Sequence, residues 1–243
     1  MTNRPPNGFL QSLTHGDFEL FRPHLRGVKL EHSKVLFDVG GKIAHLYFPH
    51  TAVISLVVVL SDGDLIEAGM IGRDGVAGTA AALDDAVGLH RAIVQIEGAA
   101  SVVDMPHAQA AVGASRTLRK KLYQHDQVLL AQAQQSAACN AKHQVEERLC
   151  RWLLRTRDLV GADALPLTQE YIAQMLGVRR TSVTLAARNL QAAKLIKYRR
   201  RLINVVDVEG LQDAACECHE AVKAQAARMI PRVEIASAPS EAN

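Results

Sequence analysis

Between Val35 and Met105 the hydrophobic positions fall in short β-branched runs, the longest being Ala52-Val53-Ile54-Ser55-Leu56-Val57-Val58-Val59-Leu60. Turn-forming clusters separate them, at Val39-Gly40-Gly41, Ser61-Asp62-Gly63-Asp64, Gly72-Arg73-Asp74-Gly75 and Glu97-Gly98. Several short strands at this spacing predict an all-β roll of the jelly-roll kind. From about Gln109 to Ala141 the pattern changes to Ala, Gln, Leu and Lys with a single glycine and no proline, which predicts helix. Leu118, Leu122, Leu129, Ala133 and Ser136 recur there at steps of four, seven, four and three. So narrow a seam, on a helix from about Arg116 to Ala138, suits pairing with a second copy. Gln132 and Gln135 interrupt it, and packing of the same seam on the roll is the alternative.

After a break near Asn140, the residues Val145, Leu149, Trp152, Leu153 and Leu159 mark a second amphipathic helix, ended by Gly161 to Pro166. Thr168 can cap a further helix with Glu170 in its first turn and Ile172, Ala173 and Leu176 buried. Gly177 stands where the chain must reverse. Val183, Ala186, Ala187 and Leu190 then form the inner face of another helix, with Arg180, Thr181, Thr184 and Arg188 outside. Two short helices joined through glycine predict a helix-turn-helix. Leu195 to Tyr198 and Leu202 to Val206 read as strands around Arg199-Arg200-Arg201, a basic wing.

Charge sharpens this picture. The net +3 of the 243 residues is unevenly spread: residues 178–201 hold eight basic side chains and no acidic one. A block of one sign is the footprint of a polyanion contact, though a solvated basic face or a membrane-surface helix would share it. Arginine can grip guanine O6 and N7 through two parallel hydrogen bonds, and threonine can meet a base edge or a thymine methyl. The candidate DNA-binding set is therefore Thr168, Arg179, Arg180, Thr181, Ser182, Thr184 and Arg188 on the helices, with Lys197, Arg199, Arg200 and Arg201 on the wing, whose charges suit phosphates. Hydrophobic residues at 48% and charged residues at 22% exclude a disordered chain. With no signal peptide, no ~20-residue apolar span and four scattered cysteines, the expectation is a cytoplasmic protein without a membrane partner.

Leu46-Tyr47-Phe48-Pro49, Ala52 to Leu56, Ile71 to Gly78 and above all Leu167 to Leu190 resemble transcription regulators of the cyclic-AMP receptor protein/fumarate-nitrate regulator (CRP/FNR) family, over roughly residues 20–215. The resemblance implies an α+β chain: a cyclic-nucleotide-binding-like β-roll (1–113), a central dimerisation helix (114–140), a winged helix-turn-helix (141–212) and a C-terminal tail (213–243), frayed at its end. It implies a homodimer on double-stranded DNA, with RNA polymerase as a partner if the protein activates. The family's nucleotide binders place Gly-Glu on the ribose and Arg-Ser or Arg-Thr on the phosphate. Here the cassette is degenerate: Gly78-Thr79 lacks the carboxylate, His90 takes the arginine's place, and Arg91 would be turned to the opposite face of its strand. Control by cyclic AMP is not expected; a cyclic-nucleotide-responsive regulator remains the alternative. The N-terminal cysteine cluster of the iron-sulfur members is also missing. In the recognition helix Arg179 replaces the usual serine cap, and Thr181 and Leu185 replace a glutamate and an arginine, so the operator is expected to differ.

A jelly-roll metal enzyme is the reading from another class. Against it, His24, His32, His45, His50 and His90 contain no His-x-His array, and no nucleophile-base pair stands out. Cys216-x-Cys218-His219 could bind a soft metal or sense oxidants, but a fourth ligand is not apparent in sequence. No catalytic residue, cofactor or metal is therefore expected.

Overall fold

The computed structural model describes residues 4–229. Helices α1 (Gly8–Ser12) and α2 (His15–Phe21) come first, capped by the side chains of Asn7 and Thr14. Seven strands follow: β1 (Arg26–Leu30), β2 (Val35–Phe37), β3 (His45–Pro49), β4 (Val53–Val59), β5 (Leu65–Ile71), β6 (Arg91–Ile96) and β7 (Gly98–Asp104), with helix α3 (Thr79–Asp84) between β5 and β6. They make two antiparallel sheets, ordered β1-β7-β3 and β2-β6-β4-β5, around one core. The roll begins earlier than the apolar runs suggest. In β1 only Leu30 is buried, so its alternation is too weak to read from sequence.

Strand β4 accounts for the longest run. Ile54 and Leu56 enter the roll core with Phe48, Ile71 and Val94, while Val53 and Val57 join a second core with Met70, Ile93, Trp152 and Ile172. A strand covered on both faces needs apolar side chains at both parities.

Helices α4 (Met105–Ala114) and α5 (Arg116–Lys142) follow, separated at Ser115, whose extended backbone and side-chain oxygen cap α5 at the Leu118 amide. The dimer seam read from sequence is corrected here. Leu118 and Leu122 are fully buried in the roll's own core, and Leu129 packs against it. The inner stripe of α5 is Leu118, Leu122, His125, Leu129, Gln132, Ser136 and Cys139, three and four residues apart, and Ala133 lies half-buried at its edge. The glutamine that seemed to interrupt the seam belongs to it: Gln132 Oε1 accepts the Met70 amide of β5 at 2.9 Å. His125 Nε2 likewise accepts the Val76 amide at 3.2 Å. A different stripe faces outward, with Tyr123 58% and Leu130 51% exposed and Gln134, Ala137 and Ala141 beside them.

The C-terminal half comprises α6 (Val145–Val160), β8 (Ala164–Leu165), α7 (Gln169–Leu176), α8 (Arg180–Ala192), β9 (Ile196–Arg199), β10 (Leu202–Val205), α9 (Val208–Asp213) and α10 (Cys218–Met229). A sheet ordered β8-β10-β9 closes this domain. Where the pattern suggested only a tail from residue 213, α10 packs along α5. It is rich in alanine and buries little beyond Cys218, His219 and Val222, which left no readable periodicity. The remainder of the expected tail, 230–243, lies outside the described residues. No helix among them is long and apolar enough to cross a membrane.

Candidate nucleic-acid interface

Thr168 caps α7 by accepting the Tyr171 amide at 3.1 Å, so its oxygen is committed to the fold before any ligand arrives. Gly177 ends the helix in the left-handed region at φ 62°, and the Val178 amide bonds back to Ala173. That reversal needs a residue without a Cβ penalty. Helix α8 then buries Val183, Ala186, Ala187 and Leu190, the four residues its spacing nominated. Outside stand Arg179, Arg180, Thr181, Leu185 and Arg188, all exposed. Ser182 and Thr184 are half-buried. The Thr184 hydroxyl lies 2.8 Å from Gln169 Oε1 and 3.0 Å from the Arg180 carbonyl, tying α8 to α7.

Two further residues belong to this surface. Leu185 is 62% exposed, one turn beyond Thr181 on the outer face. Asn189 is held by Glu146 Oε2 at 2.7 Å and locks α8 onto α6. The resemblance already places the first in the recognition helix, though not among the contacts; the second depends on a partner 43 residues away. Arg180 Nε sits 3.5 Å from Glu170 Oε2, both side chains well exposed. Such a pair is weak and yields easily to a stronger partner.

The wing turns on Arg200 and Arg201, at φ 41° and 72°, with Arg199 paired to Leu202 across the hairpin. Two successive residues of positive φ match the right-handed twist of a tight hairpin, a geometry that favours Asn-Gly over two arginines. Lys197 and Arg199 project from one face of β9, both exposed. Arg201 also borders a cleft beside His32, Gln95 and Tyr171, where the wing approaches the roll.

A family profile for the Crp-like helix-turn-helix domain matches residues 147–214. Among solved structures, FixK2 of Bradyrhizobium japonicum is 18% identical, with a TM-score of 0.67 over 79% of this chain and 98% of its own. A CRP/FNR-family regulator of Thermus thermophilus is 21% identical, at 0.64 over 78% and 98%. The c-di-GMP responsive regulator CLP of Xanthomonas campestris is 16% identical, at 0.63 over 79% and 99%. No curated protein matches the sequence. The chain shares the fold of these proteins, and its residues 147–214 match the Crp-like helix-turn-helix domain.

In this chain the two halves are docked. Trp152 of α6 donates to Glu67 Oε1 of β5 at 2.8 Å, Ser55 donates to Glu67 Oε2 at 2.6 Å, and Arg155 pairs with Asp74 at 2.8 Å. Burial pushes the Glu67 carboxyl up to about 7, against the pull of Ser55, Trp152, Arg151 and Arg155.

The roll of the CRP/FNR fold holds a cavity of about 370 Å³ against α5. Phe37, Ile43, Leu56, Ile71, Leu89 and Leu129 supply apolar walls, and Thr79, His90 and Asp126 the polar groups. Gly78 takes φ 96° ahead of α3, and Thr79 donates its hydroxyl to Asp126 of α5. His90 meets the edge of Phe37, and burial lowers its affinity for a proton. Arg91 is not among the lining residues; its guanidinium pairs with Asp38 at 2.6 and 3.1 Å.

Proposed function

We propose that this chain is a homodimeric, sequence-specific transcription regulator of the cytoplasm, not an enzyme, and not controlled by cyclic AMP or cyclic GMP. The observation that carries the reading is the outward face of α8: Arg180, Thr181, Leu185 and Arg188 stand exposed on one helix, with Lys197 and Arg199 to Arg201 on the adjoining wing. Arg180 and Arg188 suit guanine edges, Thr181 and Leu185 suit thymine methyls, and the wing suits phosphates. RNA polymerase is the further partner where the protein activates.

Dimerisation is assigned to the outer stripe of α5. Tyr123, Leu130 and Ala137 recur every seven residues, with Gln134 and Ala141 each four residues after one of them, the spacing a paired helix requires. In the roll, no arginine or lysine among the described residues lines the cavity, so a nucleotide phosphate would be buried there without a counter-charge. The same reasoning speaks against carrying over the cyclic dinucleotide of the Xanthomonas regulator.

Selection of duplexes from a random pool by the full chain tests the first claim; enrichment of a two-fold related site is expected, and binding indifferent to sequence would defeat it. Calorimetry with cyclic AMP and cyclic GMP tests the second, and micromolar binding of either would overturn it.

A further inference from the structure

The end of α5 and the turn between α9 and α10 meet in a cluster that the DNA-binding face does not use. Cys139 and His143 lie four residues apart and so on one face, His143 being the residue that ends α5. Cys216 and Cys218 arrive from the other side. One ligand atom from each of the four lies within 4.8 Å of all the others. Cys139 Sγ is 3.5 Å from Cys216 Sγ, and Cys218 Sγ is 3.5 Å from His143 Nδ1. The three thiols are buried and the imidazole nearly so. His219, grouped with these cysteines by sequence, is turned instead towards Glu220.

The dimensions suit one ion. Zinc–sulfur bonds of about 2.3 Å put two thiolates of a tetrahedral site about 3.8 Å apart. A multi-iron cluster spreads its thiolates over separate irons and needs a wider cage. The surroundings are built for the same purpose. Glu217 Oε2 holds His143 Nε2 at 3.1 Å, which leaves Nδ1 as the ligand nitrogen, and a carboxylate behind a ligating imidazole fixes its orientation and tautomer. Gln135 Nε2 donates to Cys218 Sγ at 3.0 Å, a contact that favours thiolate.

Charge supplies a separate argument. Arg148 and Arg151 of α6 are buried and act electrostatically on Cys139. Arg148 Nη2 donates to the Leu176 carbonyl and Arg151 acts on Glu67, but neither forms an ion pair among the described residues, and the Nε of each is without a hydrogen-bond partner there. Buried cations want a counter-charge. A dipositive ion held by three thiolates and a neutral imidazole carries one net negative charge and provides it.

We propose that Cys139, His143, Cys216 and Cys218 form a closed structural zinc site that fastens α10 and the DNA-binding half to α5. All four tetrahedral positions come from protein, which leaves none for water or substrate. On binding, the three thiols pass their protons to solvent and the imidazole binds through Nδ1. The site lies one residue before Gln144, the cap of α6, so it pins the junction of the two halves.

The test uses the full-length chain, reduced, incubated with zinc or cobalt(II) and desalted. Elemental analysis should find one metal per chain, and the cobalt form should show the thiolate charge-transfer and strong visible bands of tetrahedral coordination. Cys216→Ser and His143→Ala should lose the metal, whereas Cys150→Ala, outside the cluster, should keep it. The wild-type count carries the result even where a variant folds poorly. Reduced wild type that retains neither metal, a full metal content in Cys216→Ser, or a Cys139–Cys216 disulfide as the stable form of the isolated chain would each overturn the proposal.

Discussion

The helix-turn-helix and helix α5 are both explained by side-chain contacts, but over very different distances along the chain. In the helix-turn-helix, Thr168 caps three residues on and Thr184 reaches back 15. Along α5 the polar residues find partners far away: His125 at 49 residues, Gln132 at 62, Cys139 at 77 and Gln135 at 83. The first region is defined mostly by near neighbours in the chain, the second is a scaffold whose inner polar residues are largely set by remote partners. A helix that binds its own roll on one face and offers another face outward cannot be divided into inside and outside from its sequence alone.

The sharpest way to break this contrast is to charge each face of α5 in turn. Leu122→Glu buries a carboxylate in the roll core and should prevent stable folding; even Leu122→Ala should cost about 2–5 kcal/mol. Leu130→Glu, on the exposed face, should leave the unfolding midpoint near wild type and convert the proposed dimer to monomer. Thermal unfolding and sedimentation velocity of the variants settle both. The reverse pattern would restore the seam first read from sequence.

On the local side, Arg180→Ala should cost ~1–3 kcal/mol on the selected operator and relax preference at one base pair, with little change on random duplex. Equal losses on both DNAs in a salt titration would remove Arg180 from the readers.

The docking of the two regions has its own pH signature. Glu67 ordinarily titrates near 4.5 and is pushed up to about 7 in the folded chain, so the folded state holds this proton more tightly than the unfolded one. Its contribution is fully present below about pH 4.5 and is lost as pH rises to about 7, a decline on the order of 1–3 kcal/mol given its partial exposure. Urea unfolding across this range should show Glu67→Gln without that decline. A parallel decline in the variant would assign it to another group.

The smallest effect is expected in the wing. Arg201→Gly relieves a positive φ and should stabilise the domain by up to about 1 kcal/mol, while lowering the salt slope of DNA binding by about one unit. Chemical denaturation and salt titration of this one variant measure the two effects separately.

Much of the fold was legible in order and type. Turn spacing announced the roll, composition the long helix, and the cap, glycine and inner-face residues from Thr168 to Leu190 the helix-turn-helix, because each signal rests on neighbours within one element. What sequence left open follows one rule. The partner face of α5, the second covered face of β4 and the place of α10 all depend on which surface another element covers. The four candidate metal ligands show it most plainly. Cys216 and Cys218 stand out in the sequence, but Cys139 and His143, about 75 residues earlier, complete the set only when α5 and the α9–α10 turn are brought together. Local periodicity encodes the elements; the hydrophobic burial that packs them decides which side chains meet.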